Sequence, residues 1–107
     1  MKYRVKMTPT AAREFEWLDV WWKANRDKNP FLFADEVYEA VEFLETTPEG
    51  GFSIKSRVGE HFRRVPLDGS RNQVYYWHQP GDTIVWIVSF WGGPRKGRPR
   101  LTLEEIP

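Results

Sequence analysis

The sequence predicts an α+β chain in which a helical hairpin lies on a mainly antiparallel, twisted sheet, in the order β-α-α-β-β-β. Three observations predict it: one long apolar strand late in the chain, two helical stripes in the first half, and short strands parted by turn residues in the second half. The late strand anchors the reading. Of the ten residues Asp82-Thr83-Ile84-Val85-Trp86-Ile87-Val88-Ser89-Phe90-Trp91, eight are β-branched or aromatic, and the only charge is at Asp82. A strand with one wet face alternates apolar and polar residues. Here Ile84, Trp86, Val88 and Phe90 fall on one parity and Val85, Ile87 and Trp91 on the other, so the strand is expected to be central and covered on both faces. Its partner is Gln73 to His78, joined through Gln79-Pro80-Gly81-Asp82, with Pro and Gly at the central positions of a tight turn.

At the start of the chain Tyr3, Val5 and Met7 alternate with Lys2, Arg4 and Lys6, which marks a strand with one covered face. Thr8-Pro9 then supplies a cap and a first-turn proline for a helix running to about Arg26. Ala11, Phe15, Leu18 and Trp22 make one apolar stripe of that helix, flanked by Glu14 and Trp21. Trp17, Val20 and Ala24 make a second flank, expected to meet the second helix. Asn29-Pro30 breaks the pattern. A second helix is expected from about Phe31 to Thr46, with Phe33, Val37, Ala40, Val41 and Leu44 buried and Asp35, Glu36, Glu39, Glu42 and Glu45 facing water. Tyr38 and Phe43 fall off its stripe, so they either meet the first helix or stay exposed. Pro48-Glu49-Gly50-Gly51 stops the helix, Phe52 to Glu60 reads as a loop, and His61 to Leu67 reads as a strand. Pro66 has no N–H for a ladder, which places it at an edge or a bulge. Gly92-Gly93-Pro94 ends the core, and Leu101-Thr102-Leu103 is a candidate edge strand.

A chain of 107 residues fits one domain with a single two-layer core, here 1–107 with a basic C-terminal tail over 94–107. The absence of cysteine excludes disulfides, thiolate catalysis and cysteine-based metal sites. The opening residues interleave charge and do not resemble a signal peptide, and no apolar run approaches a membrane span, so a soluble cytoplasmic protein is expected. The net charge of +1 hides an asymmetry: residues 1–48 hold seven Lys/Arg against nine Asp/Glu, and residues 49–107 hold nine against six. Arg95, Lys96, Arg98 and Arg100 crowd into six positions. They read either as a solvated tail or as a clamp for nucleic acid or an acidic partner.

No complete catalytic signature occurs. Ser53, Ser56, Ser70 and Ser89 lack a nucleophile-elbow context, no phosphate loop is present, and His61 and His78 have no carboxylate spaced for a metal, so no metal and no cofactor are expected. His78, at a strand end, reads as a surface residue or as a proton donor. Arg57, Arg63, Arg64, Arg71 and Arg95 to Arg100 remain. Arg63 and Arg64 are adjacent in a strand and point to opposite faces, so one alone reaches an open face; parity does not decide which. An arginine beside Tyr75, Tyr76 or Trp77 can bind phosphate or stack on a base, or simply stabilise a wet strand face.

The order of these pieces resembles the RelE/ParE superfamily of toxins from type II toxin–antitoxin systems. The matching stretches are Tyr3-Arg4-Val5 into Thr8 to Phe15, the helix end Leu44 to Gly50, then Arg63 to Leu67, Val74-Tyr75-Tyr76 and Ile84 to Val88, spanning about residues 3 to 95. The resemblance implies a small α/β toxin held inactive by a cognate antitoxin, with growth inhibition and plasmid stabilisation as the associated roles. RelE-like members cut mRNA in the ribosome with basic residues and a late tyrosine; ParE-like members poison DNA gyrase. Here Gln73 stands where the nucleases carry an arginine, Pro66 occupies a commonly basic position, and no tyrosine follows Tyr76. The resemblance therefore implies the ParE-like, non-nucleolytic branch, with Arg64, Tyr76, His78 and Arg95 as the catalytic candidates under the nuclease alternative. Under either branch the target, gyrase or the ribosome and its mRNA, meets Arg57, Arg63, Arg64, Arg95, Lys96, Arg98 and Arg100. The antitoxin seat is expected at Trp17, Trp21, Tyr38 and Phe43 if they are exposed, and the same surface is a possible homodimer contact.

Overall fold

The computed structural model describes residues 2–93 and 95–107. Strand β1 (Arg4–Met7) leads into helices α1 (Pro9–Asn25) and α2 (Leu32–Thr46), followed by β2 (Phe52–Ser53), β3 (Phe62–Leu67), β4 (Asn72–Trp77) and β5 (Ile84–Gly92). The five strands form one sheet in the order β1-β5-β4-β3-β2. Only the β1–β5 pair is parallel; every other pair is antiparallel. The α+β order and the central place of the late strand are as the sequence predicts. The additional strand, β2, arises inside the segment expected to be a loop. Phe52 pairs with Arg64 across the ladder, and its ring lies beneath the Arg64 guanidinium, 5.0 Å from the centroid.

Local signals explain the helices. The Thr8 side chain accepts from the Ala11 N–H at 3.2 Å, an N-cap followed by Pro9 at the first helical position. Ala11 and Leu18 of α1 and Phe33, Val37, Ala40 and Leu44 of α2 are buried on the sheet. There they join Leu67, Val74, Tyr76, Val85, Ile87 and Phe90 in one core, with Phe15 and Trp22 packed against it. The second flank of α1 does not meet α2: Trp17, Val20 and Ala24 are exposed. Glu36 does not simply face water. Its carboxylate accepts the Gly69 and Ser70 N–H groups at 2.7 and 2.9 Å and so clasps the β3–β4 turn.

Strand β5 is covered on both sides, but not with the simple alternation that its sequence suggests. Tyr75 lies opposite Ser89 and Tyr76 opposite Ile87, so Val88 is an extra residue, a β-bulge. The bulge swaps the parity beyond it. Val85, Ile87 and Phe90 therefore share the helix-side core, while Val88 belongs to a second cluster with Phe62 and Tyr75, against which Trp86 and Trp91 pack. The turn at Gln79–Asp82 forms as expected, closed by the Asp82 N–H on the Gln79 carbonyl at 3.0 Å, with Gly81 at φ 89°. Pro66, opposite Gln73, lies past the end of β2, where its missing N–H leaves no ladder bond unmade.

The tail is neither a strand nor a solvated arm. Leu101 to Leu103 form no ladder; instead Leu101, Leu103 and Ile106 pack on the second cluster, across the sheet face away from the helices. Leu101 and Leu103 alternate as in a strand, and only the fold shows that they cover a sheet face without joining its ladder. Of the expected tail, Pro94 lies outside the described residues. Glu105 ends the strap at the start of α1, its carboxylate accepting the Thr10 N–H at 3.0 Å and the Thr10 hydroxyl at 2.9 Å. The Thr10 N–H holds the Glu105 carboxyl below the ordinary glutamate value against a desolvation penalty, helped by the Thr10 and Thr8 hydroxyls and Arg13.

Two outcomes follow. A carboxyl depressed in the folded state stabilises it above the unfolded pKa and ceases to do so as pH falls through the folded value. In an NMR titration the Thr10 amide should track a pKa below that of free glutamate; an ordinary or raised value would contradict the latch. The second concerns Tyr76, whose hydroxyl donates to the Pro48 carbonyl at 2.8 Å and accepts the Gly51 N–H at 2.9 Å. A Cβ at Gly51 would overlap that hydroxyl, which is why the loop carries glycine. Tyr76→Phe leaves both groups without a partner and is expected to lower stability by about 1–3 kcal/mol in urea unfolding; an unchanged midpoint would refute the clamp.

Candidate functional site

The structure divides the arginines predicted to carry function. Arg63 and Arg64 do point to opposite faces, and the burial of Leu67 with Val65 packed on the helix-side core settles which is which. Arg63 turns to the helix side and donates to the Gly51 carbonyl at 2.9 Å. Arg64 turns to the far side, where its Nη1 donates to Gln73 Oε1 at 2.7 Å. The glutamine thus orients the guanidinium and adds no second charge beside it.

Arg64 and Gln73 line a cleft of about 450 Å³ together with Lys55, Tyr75 and Arg98. Arg98 is tied across it by a long bond to the Lys55 carbonyl, 3.5 Å. Three cations and no carboxylate line this cleft, so it suits an anion. Of the predicted target-binding residues, only Arg64 and Arg98 meet here. Lys55 escapes a reading of the sequence, since a lone lysine in a loop carries no signal there. Arg57 and Lys96 are exposed and do not line the cleft, and Arg100 lines a separate one beside Thr10 and Glu105.

Arg95 lies elsewhere, at the end of β5. Its guanidinium stacks on Trp91 (4.4 Å to the centroid) and Trp17 (5.6 Å), and its Nη1 donates to Glu14 Oε2 at 3.1 Å. Glu14 is the hub of that corner. Past the end of β1, where β5 stays paired to β4 but its other edge is uncovered, Glu14 Oε1 caps that edge, accepting the Ser89 hydroxyl at 2.8 Å and the Phe90 N–H at 3.2 Å. Nothing near Glu14 in sequence announces partners 75 and 76 positions away.

The proton-transfer candidates are not assembled with the arginines. Tyr76 is fully buried on the helix side with both hydroxyl bonds made to backbone, and burial holds its phenol above the ordinary tyrosine value despite the Gly51 N–H and nearby Arg63. His78 is not a surface residue but buried. Its Nε2 lies 2.9 Å from the Asp82 carbonyl oxygen, its Nδ1 lies 3.4 Å from Glu49 Oε1, and its ring meets the edge of Tyr3. Among the described residues no group of three or more His, Asp or Glu is placed to hold a metal ion, and no helix is long and apolar enough to cross a membrane.

A second surface lies on the helices. Trp17 is 54 %, Tyr38 69 % and Phe43 40 % exposed, with Trp21 half-buried beside Trp22. Trp17 and Trp21 line a cleft that neither Tyr38 nor Phe43 enters, so the four residues do not share one pocket.

With this architecture, the solved structures that the chain resembles are informative. It matches a chain of the chromosomal ParDE TA system from P. aeruginosa with a TM-score of 0.66 at 14 % identity, over 85 % of this chain and 96 % of that one. It also matches a chain of the toxin-antitoxin complex RelBE2 from Mycobacterium tuberculosis with a TM-score of 0.63 at 18 % identity, over 87 % of this chain and all of that one. The fold is RelE/ParE-like. No family model matches the chain, and no curated protein matches it in sequence. At 14 and 18 % identity the likeness is one of fold, so chemistry has to be read from the side chains actually present.

The Glu14 corner makes a direct prediction. Glu14→Ala removes the acceptor from the buried Ser89 hydroxyl and the Phe90 N–H and should lower stability by about 1–3 kcal/mol in urea unfolding. Arg95→Ala, which removes a partly exposed ion pair and the stack on Trp91 and Trp17 but leaves no buried donor without an acceptor, should cost less, about 1 kcal/mol. Equal effects of the two substitutions would contradict the assignment of Glu14 as the edge cap.

Proposed function

We propose that the chain is the toxin component of a type II toxin–antitoxin system, of the ParE-like kind. It acts in the cytoplasm by occupying a target such as DNA gyrase and is neutralised by a cognate antitoxin. The two solved structures named above both come from toxin–antitoxin assemblies, which supports the general role. The observation that carries the finer reading is the dispersal of the cleavage-type groups. Arg64 faces the far side of the sheet, Tyr76 is buried on the helix side, His78 is buried at the β4–β5 turn, and Arg95 is neutralised by Glu14. General acid–base cleavage of a phosphodiester needs a donor and a charge-stabilising group on the same few ångströms of substrate. Binding needs only a complementary surface, and the Lys55–Arg64–Arg98 cleft offers one to an acidic or nucleic-acid-bound target.

Trp17, Trp21, Tyr38 and Phe43 are assigned to the antitoxin, because Trp17, Tyr38 and Phe43 are exposed, Trp21 is half-buried, and large exposed aromatics on a small chain mark an interaction surface. In the chain alone, the same surface supports a homodimer. The test has two readouts. Expression of the isolated gene should arrest growth, and purified protein should inhibit gyrase supercoiling of plasmid or trap cleaved DNA. Unchanged supercoiling at large protein excess would contradict the gyrase reading. New mRNA 5′ ends during arrest, lost with Arg64→Ala, would replace it with the ribosome-dependent mRNA endonuclease.

A further inference from the structure

The geometry points to the cleft at the C-terminal end of α1 as the anchoring site for an acidic, apolar segment of the partner protein. This inference rests on the toxin–antitoxin reading and specifies the chemistry of its interface. The cleft, of about 460 Å³, lies between the last turns of α1 and the β3–β4 turn. Trp17, Trp21 and Trp22 wall it on one side. The Trp22 indole N–H is already used, donating to the Asn29 carbonyl at 2.7 Å. These rings offer mostly carbon surface, which suits a large aliphatic or aromatic side chain.

The rim sets the sign of the charge. Arg26 lies over Trp21 and Trp22, 5.2 and 5.7 Å from the ring centroids, and Arg71 stands on the facing turn in the left-handed region at φ 60°. Neither guanidinium has a carboxylate partner among the described residues, and no acidic side chain lines the cleft. By contrast Arg95, which covers the outer face of Trp17, is paired with Glu14. Stacking on indole pre-orders the Arg26 fork, so less freedom is lost when it takes a carboxylate. Ser70 Oγ on the β3–β4 turn and Asn72 Oδ1 at the start of β4 also lack partners among the described residues, but both atoms are closed off from solvent, so the exposed groups define the occupant. An apolar anchor flanked by carboxylates satisfies the wall and the rim together. A basic or neutral segment satisfies only the wall.

The test uses the full chain labelled with ¹⁵N, reading the tryptophan indole N–H signals. The probes are three short capped peptides that share one apolar triplet, flanked by glutamates, glutamines or lysines. The glutamate peptide should shift the Trp17 and Trp21 signals while leaving Trp77 and Trp86 in place, and bind about tenfold more tightly than the glutamine twin. Double charge reversal, Arg26→Glu with Arg71→Glu, should transfer the preference to the lysine peptide, and Arg26→Glu alone should weaken it. Both positions are exposed, so the fold survives these changes. Equal affinity for all three peptides, no binding of any, or a preference unmoved by charge reversal would overturn the inference. Failure of the peptide test with toxicity intact removes the cleft and leaves the toxin reading standing. An acidic preference in a chain that neither arrests growth nor has an antitoxin overturns the antitoxin as the occupant.

Discussion

The structure depends on one constraint: β5 is apolar on both faces, so both must be kept from water. Helices α1 and α2 cover one face through Val85, Ile87 and Phe90. On the other face Val88 is buried with Phe62 and Tyr75, and Leu101, Leu103 and Ile106 of the C-terminal strap pack on that cluster alongside the half-buried Trp86 and Trp91. Area burial of this kind contributes on the order of 25 cal/mol per Å², so a strap carrying three large aliphatic side chains is held without any ladder of its own. Its course then fixes the rest. Glu105 reaches the first turn of α1, and the basic run between Arg95 and Arg100 is drawn across the end of β5 and the far side of the sheet.

That arrangement changes what the basic residues can do. A fully open sheet face would let every arginine on it act together. A strapped face leaves a smaller opening, in which Lys55, Arg64 and Arg98 converge and Gln73 fixes the direction of Arg64. Where sequence suggested proton donors, Tyr76 and His78 serve as fasteners. One holds the Pro48–Gly51 loop to the sheet, and the other holds the β4–β5 turn against Tyr3 and Glu49. Positive charge thus converges in the cleft with Tyr76 and His78 placed elsewhere, and the binding role proposed above rests on that separation.

Much of the fold was legible in the sequence because its signals are local. The Thr8-Pro9 cap, the α2 stripe of Phe33, Val37, Ala40 and Leu44, the Pro80-Gly81 turn and the doubly apolar β5 each need only a few neighbouring residues to be read. What was not legible depends on distant partners. The bulge at Val88 is set by the pairing with Tyr75 and Tyr76, and it moved Phe90 to the helix side against its parity. Glu14, Lys55 and Glu105 look like ordinary surface charges until the fold brings β5, Arg98 and Thr10 to them. The burial of His78 is of the same kind, since Tyr3 stands at the opposite end of the chain.

The most direct measurement is of the strap itself, by methyl-resolved nuclear Overhauser contacts on the isolated chain. Contacts are expected from the Leu103 and Ile106 methyl groups to the Val88 methyls and the Tyr75 ring. Tail methyls at random-coil shifts, with no contact to that face, would contradict it, because the far side of β5 would then be open along its length.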